Sequence, residues 1–232
     1  LSFLDLSGRL IRKFPDPDTG SRAPTTNIGM NRFVWDMRFP DAELIETKRN
    51  LGVGKGGVLG VAPLVTPGRY VVELVANDQI YSESFELLQD PRTSATKEDF
   101  EAQLNLLMSI RNKLTEARSA LSQITKLEER LLKAKGDDGS NIGLPPAPNS
   151  GKDVLLELKR LRLKLSASGR PDQASEWNPS GIADMLEALF PVVSGSDARP
   201  TRQSVEVFKV LSDRLDDHLK FLASSNLPWA ES

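Results

Sequence analysis

A change of hydrophobic period near Pro91 constrains this chain more than any other feature. Before it, apolar residues alternate with polar ones. Phe33, Trp35 and Met37 interleave with Arg32, Val34 and Asp36. Tyr70, Val72, Leu74 and Ala76 share one face of a second segment, and Tyr81, Phe85 and Leu87 share one face of a third. A period of two is the signature of strands. Asn77-Asp78-Gln79 lies between the second and third segments, and Asn and Asp tolerate the positive φ of a tight hairpin turn. Ser7-Gly8 between Leu4-Asp5-Leu6 and Leu10-Ile11 reads as another hairpin. Short strands punctuated by turns predict a β-sandwich over residues 1–93, with Trp35 filling the space between its sheets.

After Pro91 the spacing becomes three and four. Phe100 and Leu104 lead into Leu107, Ile110, Leu114, Ala117, Leu121, Ile124 and Leu131, which predicts one long helix. Thr96 is a good N-cap, Glu98 and Asp99 suit the first turn, and Gly136 suits the end. Further stripes predict helices at about 152–166 (Leu155, Leu158, Leu161, Leu165) and 182–193 (Met185, Leu186, Leu189). A last helix from near Pro200-Thr201 carries Val205, Phe208, Leu211, Leu215, Leu219 and Leu222. Amphipathic helices need covering. The expectation is an antiparallel helical bundle over 94–232. In it the 152–166 helix folds back on Leu121, Ile124 and Leu131, and the last helix covers the first half of the long one. A longer reach of that helix would offer a seam to another protein chain.

Two loops interrupt the β region. Residues 15–29 are rich in Pro and small polar residues, and residues 50–68 hold Gly52, Gly54, Gly56, Gly57 and Gly60. The second is not a phosphate cradle: Lys55 is followed by glycine, and no helix pattern follows. Asp16-Pro17-Asp18-Thr19-Gly20 has the opening of a calcium loop, but Asn27 stands where the bidentate Glu of an EF-hand would be. It reads as an Asp/Gly turn.

The chemistry available is narrow. Among 232 residues there is no cysteine and one histidine, His218. Disulfides, thiolate metal sites, a cysteine nucleophile and any multi-histidine site are excluded. His218 sits beside the Leu215/Leu219/Leu222 stripe, with no serine and acid pattern converging on it. A net charge of −2 argues against non-specific nucleic-acid binding. No apolar run approaches the roughly 20 residues of a membrane span. The reading is therefore no catalytic residue, no cofactor and no metal ligand. The chain opens at Leu1 inside what reads as a strand, and the expectation is a piece of a longer polypeptide.

Gly29-Met30-Asn31-Arg32-Phe33-Val34-Trp35-Asp36-Met37-Arg38, Pro67-Gly68-Arg69-Tyr70, Phe85 and Asp90-Pro91-Arg92 resemble an immunoglobulin-like domain of the flagellar hook-capping type. More closely, they resemble the region after the β-propeller in bacterial BNR-repeat or sortilin-like proteins that carry a glycosyl hydrolase label. The helical part fits that resemblance through Thr96 to Leu107 and through Ala198-Arg199-Pro200-Thr201 with Val207, Phe208 and Leu211. The resemblance implies an exported accessory module that caps, orients or tethers an upstream propeller, with any hydrolase chemistry in the propeller. A second expectation is a carbohydrate- or protein-binding sandwich acting through loops 15–29 and 50–68.

Overall fold

The computed structural model describes residues 1–15, 23–42, 61–136, 151–166 and 181–224. The chain is α+β. Among the described residues it forms strands β1 (Ser2–Asp5), β2 (Leu10–Lys13), β3 (Gly68–Ala76) and β4 (Gln79–Leu87). Helices α1 (Lys97–Gly136), α2 (Gly151–Leu165), α3 (Ile182–Ser194) and α4 (Arg202–Ser224) follow. The strands make one antiparallel sheet in the order β2-β1-β3-β4. The residues group into two compact units. The first holds the described residues within Leu1–Ala42, Gly60–Arg111 and Val193–Thr201, and the second those within Asn112–Val192 and Arg202–Ser232.

In the first unit, two tight turns set the sheet. Gly8 supplies a φ of 81° between β1 and β2, and Asn77 (51°) and Asp78 (60°) close β3 onto β4 with Ala76 opposite Gln79. Two consecutive left-handed residues give a turn whose twist matches that of the strands it joins. Gly68, at φ 152°, opens β3 in a conformation that L side chains rarely adopt. β1 then pairs with β3, Phe3 opposite Val72 and Asp5 opposite Tyr70. This places Phe3, Tyr70 and Phe85 on one face. There Trp35 stacks on Phe3 at a centroid distance of 4.2 Å and meets Tyr70 and Phe85 edge-on at 6.4 and 6.3 Å. Ile11, Phe39 and Tyr70 form the buried centre, and Leu104 and Met108 of α1 pack against it.

The segment from Arg32 to Met37 corrects an expectation. Phe33 and Trp35 do turn inward, but the segment is not a strand of the sheet. Alternation reports an extended chain, not a partner for its amides. Here Met37 adopts φ 58° and breaks the alternation, leaving its side chain exposed. Pairing with residues 63–65 is limited to one antiparallel bridge, Arg38 with Leu64, and two flanking bonds, Phe39 N to Pro63 O and Val65 N to Met37 O, each 2.9 Å. Trp35 is consequently half-buried, with its indole N–H donating to Arg38 O at 3.3 Å.

Three guanidinium groups hold this irregular backbone. Arg12, Arg38 and Arg111 donate to the carbonyls of Phe39 (3.2 Å), Ala62 (2.7 Å) and Pro40 (3.2 Å). Asp41 Oδ1 accepts the amides of Ala42 and Val61 at 2.7 and 2.8 Å. Burial lowers the pKa of Arg111, against the opposing charge of Asp41.

α1 begins with reciprocal capping: Asp99 N donates to Thr96 Oγ1 (3.3 Å) and Thr96 N donates to Asp99 Oδ2 (3.1 Å). Gln103 Nε2 donates to Val193 O (2.8 Å) and Ser196 O (2.6 Å), and Arg199 pairs with Asp99 at 3.0 Å. These contacts fix residues 193–199 beside the start of the helix.

In the second unit, Leu114, Ala117, Leu121, Ile124 and Leu127 are buried, as are Leu158, Leu161 and Leu165 of α2. Leu186 and Leu189 of α3 and Leu211, Leu215 and Leu222 of α4 are buried as well. Glu128 and Arg162 approach to 3.3 Å, Arg118 and Glu187 to 3.3 Å, and Lys113 and Asp216 to 2.7 Å. Arg162 Nε lies within ion-pair range of Glu128 without a hydrogen-bonding direction. On α4 the expected stripe is corrected at one end: Val205 is exposed and Ser204 is buried. Asp184 caps α3 by accepting Gly181 N at 3.1 Å and Ser166 Oγ at 3.2 Å.

Candidate interaction surface

The first unit presents a loop that one side chain organises. Asn31 Oδ1 accepts Asn27 N at 2.9 Å, and Asn31 Nδ2 donates to Asn27 O (2.9 Å) and Gly29 O (3.2 Å). Gly29 turns the chain at φ 96°. Between these clasped positions Ile28 and Met30 stand fully in water, at 107% and 100% exposure. Val34, further along the same segment, is 74% exposed. Single exposed apolar residues are ordinary on a protein surface. Two on a backbone already closed by three hydrogen bonds are different, because a partner covering them would not have to order the loop. Each such side chain contributes about 1.5–3 kcal/mol when fully buried, and preorganisation lets more of it appear as affinity.

A second exposed region is the far end of the β3–β4 hairpin. Leu74 and Tyr81 lie cross-strand on one face, and Val75 and Ile80 on the other; all four are exposed. Thus the hairpin reaches past the aromatic cluster with both faces uncovered.

Among the described residues, the titratable groups whose surroundings shift them lie in separate places. An open cleft of about 240 Å³ beside the start of β3 is lined by Thr66, Gly68, Glu86, Leu88, Lys97 and Phe100, among others. It holds one carboxylate, whereas glycoside hydrolysis needs two facing each other. His218 is half-buried on α4; burial lowers its pKa, assisted by the nearby Lys164 charge and opposed by Asp217. Asp5 is held low by the Ser7 hydroxyl first, with help from the amides of Arg9 and Ser7. That is a turn carboxylate at work on its own backbone. Lys113 is desolvated, yet its hydrogen bonds to Asp216 and Glu116 outweigh this and raise its pKa. Among the described residues no group of three or more His, Asp or Glu side chains is placed to hold a metal, and no helix is long and apolar enough to cross a membrane.

The sequence expectations meet this surface only in part. Asn31, quoted above only within the resemblance, closes its own turn. The Asp16–Asp18 turn and the glycines at 52–60 lie outside the described residues. Ile28 falls within the 15–29 loop expected as a binding edge, but nothing in the sequence marks Ile28 and Met30 individually; the signal is an Asn-Ile-Gly-Met-Asn run, two apolar residues inside turn-forming ones. No family model, curated protein or solved structure matches this chain.

Proposed function

We propose that the chain is a non-catalytic interaction module of an exported bacterial protein, one that caps, orients or tethers a β-propeller of the same polypeptide. The sheet and its aromatic face would be one layer of an immunoglobulin-like sandwich, and the helices an antiparallel bundle. The partner class comes from the family resemblance. The single observation that carries the interaction role is the Asn31-clasped loop with Ile28 and Met30 fully exposed. An ordered apolar projection is suited to docking.

The test is titration of the purified chain into the separately produced propeller region of its parent, followed by calorimetry. Saturable binding is expected, with a negative heat-capacity change from apolar burial. Ile28→Asp with Met30→Asp should weaken it by at least tenfold, about 1.4 kcal/mol. Absence of binding, or binding indifferent to both substitutions, would reject the assignment. Turnover of aryl glycosides that disappears on changing one carboxylate would reject the non-catalytic reading.

A further inference from the structure

The two edges of the sheet are built differently. β2 is four residues long and pairs with β1 through an irregular register between Phe3 and Leu4. Short length and irregularity are common ways to blunt an edge. β4 is nine residues long, pairs with β3 without interruption from Gln79 to Leu87, and contains neither proline nor lysine. Among the described residues no strand lies on its other side.

Turn geometry says which β4 groups face outward. A two-residue hairpin closes on a hydrogen-bonded pair, here Ala76 with Gln79, and antiparallel pairs alternate from there. Gln79, Tyr81, Glu83, Phe85 and Leu87 therefore bond to β3, while Ile80, Ser82, Ser84 and Glu86 direct their N–H and C=O groups away from the sheet. These are the groups an added strand would use.

Charge narrows the kind of strand. The hairpin 68–87 carries Arg69 against Glu73, Asp78, Glu83 and Glu86, a net of −3. Glu83 and Glu86 on β4 are exposed. A second copy pairing antiparallel through the middle of β4 would bring Glu83 onto Glu83, and like charges directly opposite are destabilising. A cationic strand has the opposite relation to every acid on the edge.

We propose that β4 is a strand-addition site for an extended, cationic segment of a partner protein. The segment runs antiparallel to β4, with Lys or Arg across from Glu83 and Glu86 and β-branched residues across from Ile80 and Tyr81. Backbone bonds to Ile80, Ser82, Ser84 and Glu86 supply the pairing, and alternate side chains supply selection. This inference does not depend on the Ile28/Met30 loop.

The capped peptide acetyl-KVTRTVV-amide, which places its two cations across from Glu86 and Glu83, is the probe. Titrated into the whole 232-residue chain and followed by amide NMR, it should shift Ile80, Ser82, Ser84 and Glu86 and slow their hydrogen exchange. Proline in place of both threonines should abolish this, since those residues must donate to β4. Replacing Lys and Arg of the peptide by Glu should weaken binding about five- to tenfold, as should Glu83→Gln with Glu86→Gln, and salt should weaken it too. Equal binding of the proline peptide would overturn strand addition, and equal binding of the acidic peptide would overturn the charge selection. No shift at millimolar peptide, or self-association through β4 in sedimentation, would overturn the proposal as a whole.

Discussion

Trp35→Ala tests how the first unit is held together. A tryptophan buries up to about 150–250 Å². Partly buried Trp35 keeps no more than about a third of its surface in water, so about two thirds or more of that area counts, which at about 25 cal/mol per Å² is about 2.5–5 kcal/mol. Its stack on Phe3 and edge-on contacts with Tyr70 and Phe85 each contribute about 0.5–1.5 kcal/mol beyond area, though they share the same atoms. The indole bond to Arg38 O adds about 1 kcal/mol. Cavity collapse on a half-open site offsets part of the sum, so the expected loss is about 2–4 kcal/mol, below the top of the range for a fully enclosed aromatic. Trp35→Phe keeps the stack and loses the donor and some area, and should cost about 1–2 kcal/mol. Because the chain has two compact units, the readout must be local. Native-state hydrogen exchange at the β1 and β3 amides reports the free energy of opening this sheet. A loss below about 0.5 kcal/mol for Trp35→Ala would refute the reasoning, because surface substitutions alone fall in that range.

Two other perturbations follow from the second unit. The folded-state pKa of His218 is lowered, so the unfolded chain takes up its proton first as pH falls. Stability of this unit should decline as pH drops below the unfolded value of about 6.5 and flatten once pH passes the folded value; denaturation at several pH values should show that slope reduced in His218→Gln. Arg118→Ala should cost about 2–3 kcal/mol by leaving the partly buried Glu187 without this partner. Arg118→Met with Glu187→Met should recover most of that loss in urea denaturation. A double variant as unstable as the single one would show that packing of the arginine stem, rather than the stranded charge, sets the cost.

Local chemistry made much of the fold legible. The Asn77-Asp78 turn, the strands it joins, the Thr96 cap and the starts of the four helices follow from residues that act on their immediate neighbours, and each lies within a residue or two of where the sequence places it. Arg32–Met37 shows where this stops. Periodicity predicted which side chains turn inward, but hydrogen-bond partners come from elsewhere in the chain, and Met37 leaves the extended region. Val205 fails for a related reason: it continues a stripe by spacing, while the buried position one residue earlier is Ser204. The candidate surface was harder to read. Ile28 and Met30 look like core residues by composition, and only the Asn31 bonds reveal that the loop points them outward.

The sheet order gives the molecule a folding history as well as a shape. β1–β2 and β3–β4 are each joined by a tight turn, and such hairpins form in about 1–10 μs. The seam between β1 and β3 joins Asp5 to Tyr70 and Ser2 to Glu73, so it forms only after a long stretch of chain closes on itself, and closure entropy opposes it. That seam is the expected bottleneck. Trimming Val72, which lies in it, should slow folding, whereas trimming Val75 or Ile80 at the hairpin's open end should leave the folding rate nearly unchanged. The N-terminal strand thereby acts as the clasp that converts two independent ribbons into a single cooperative sheet.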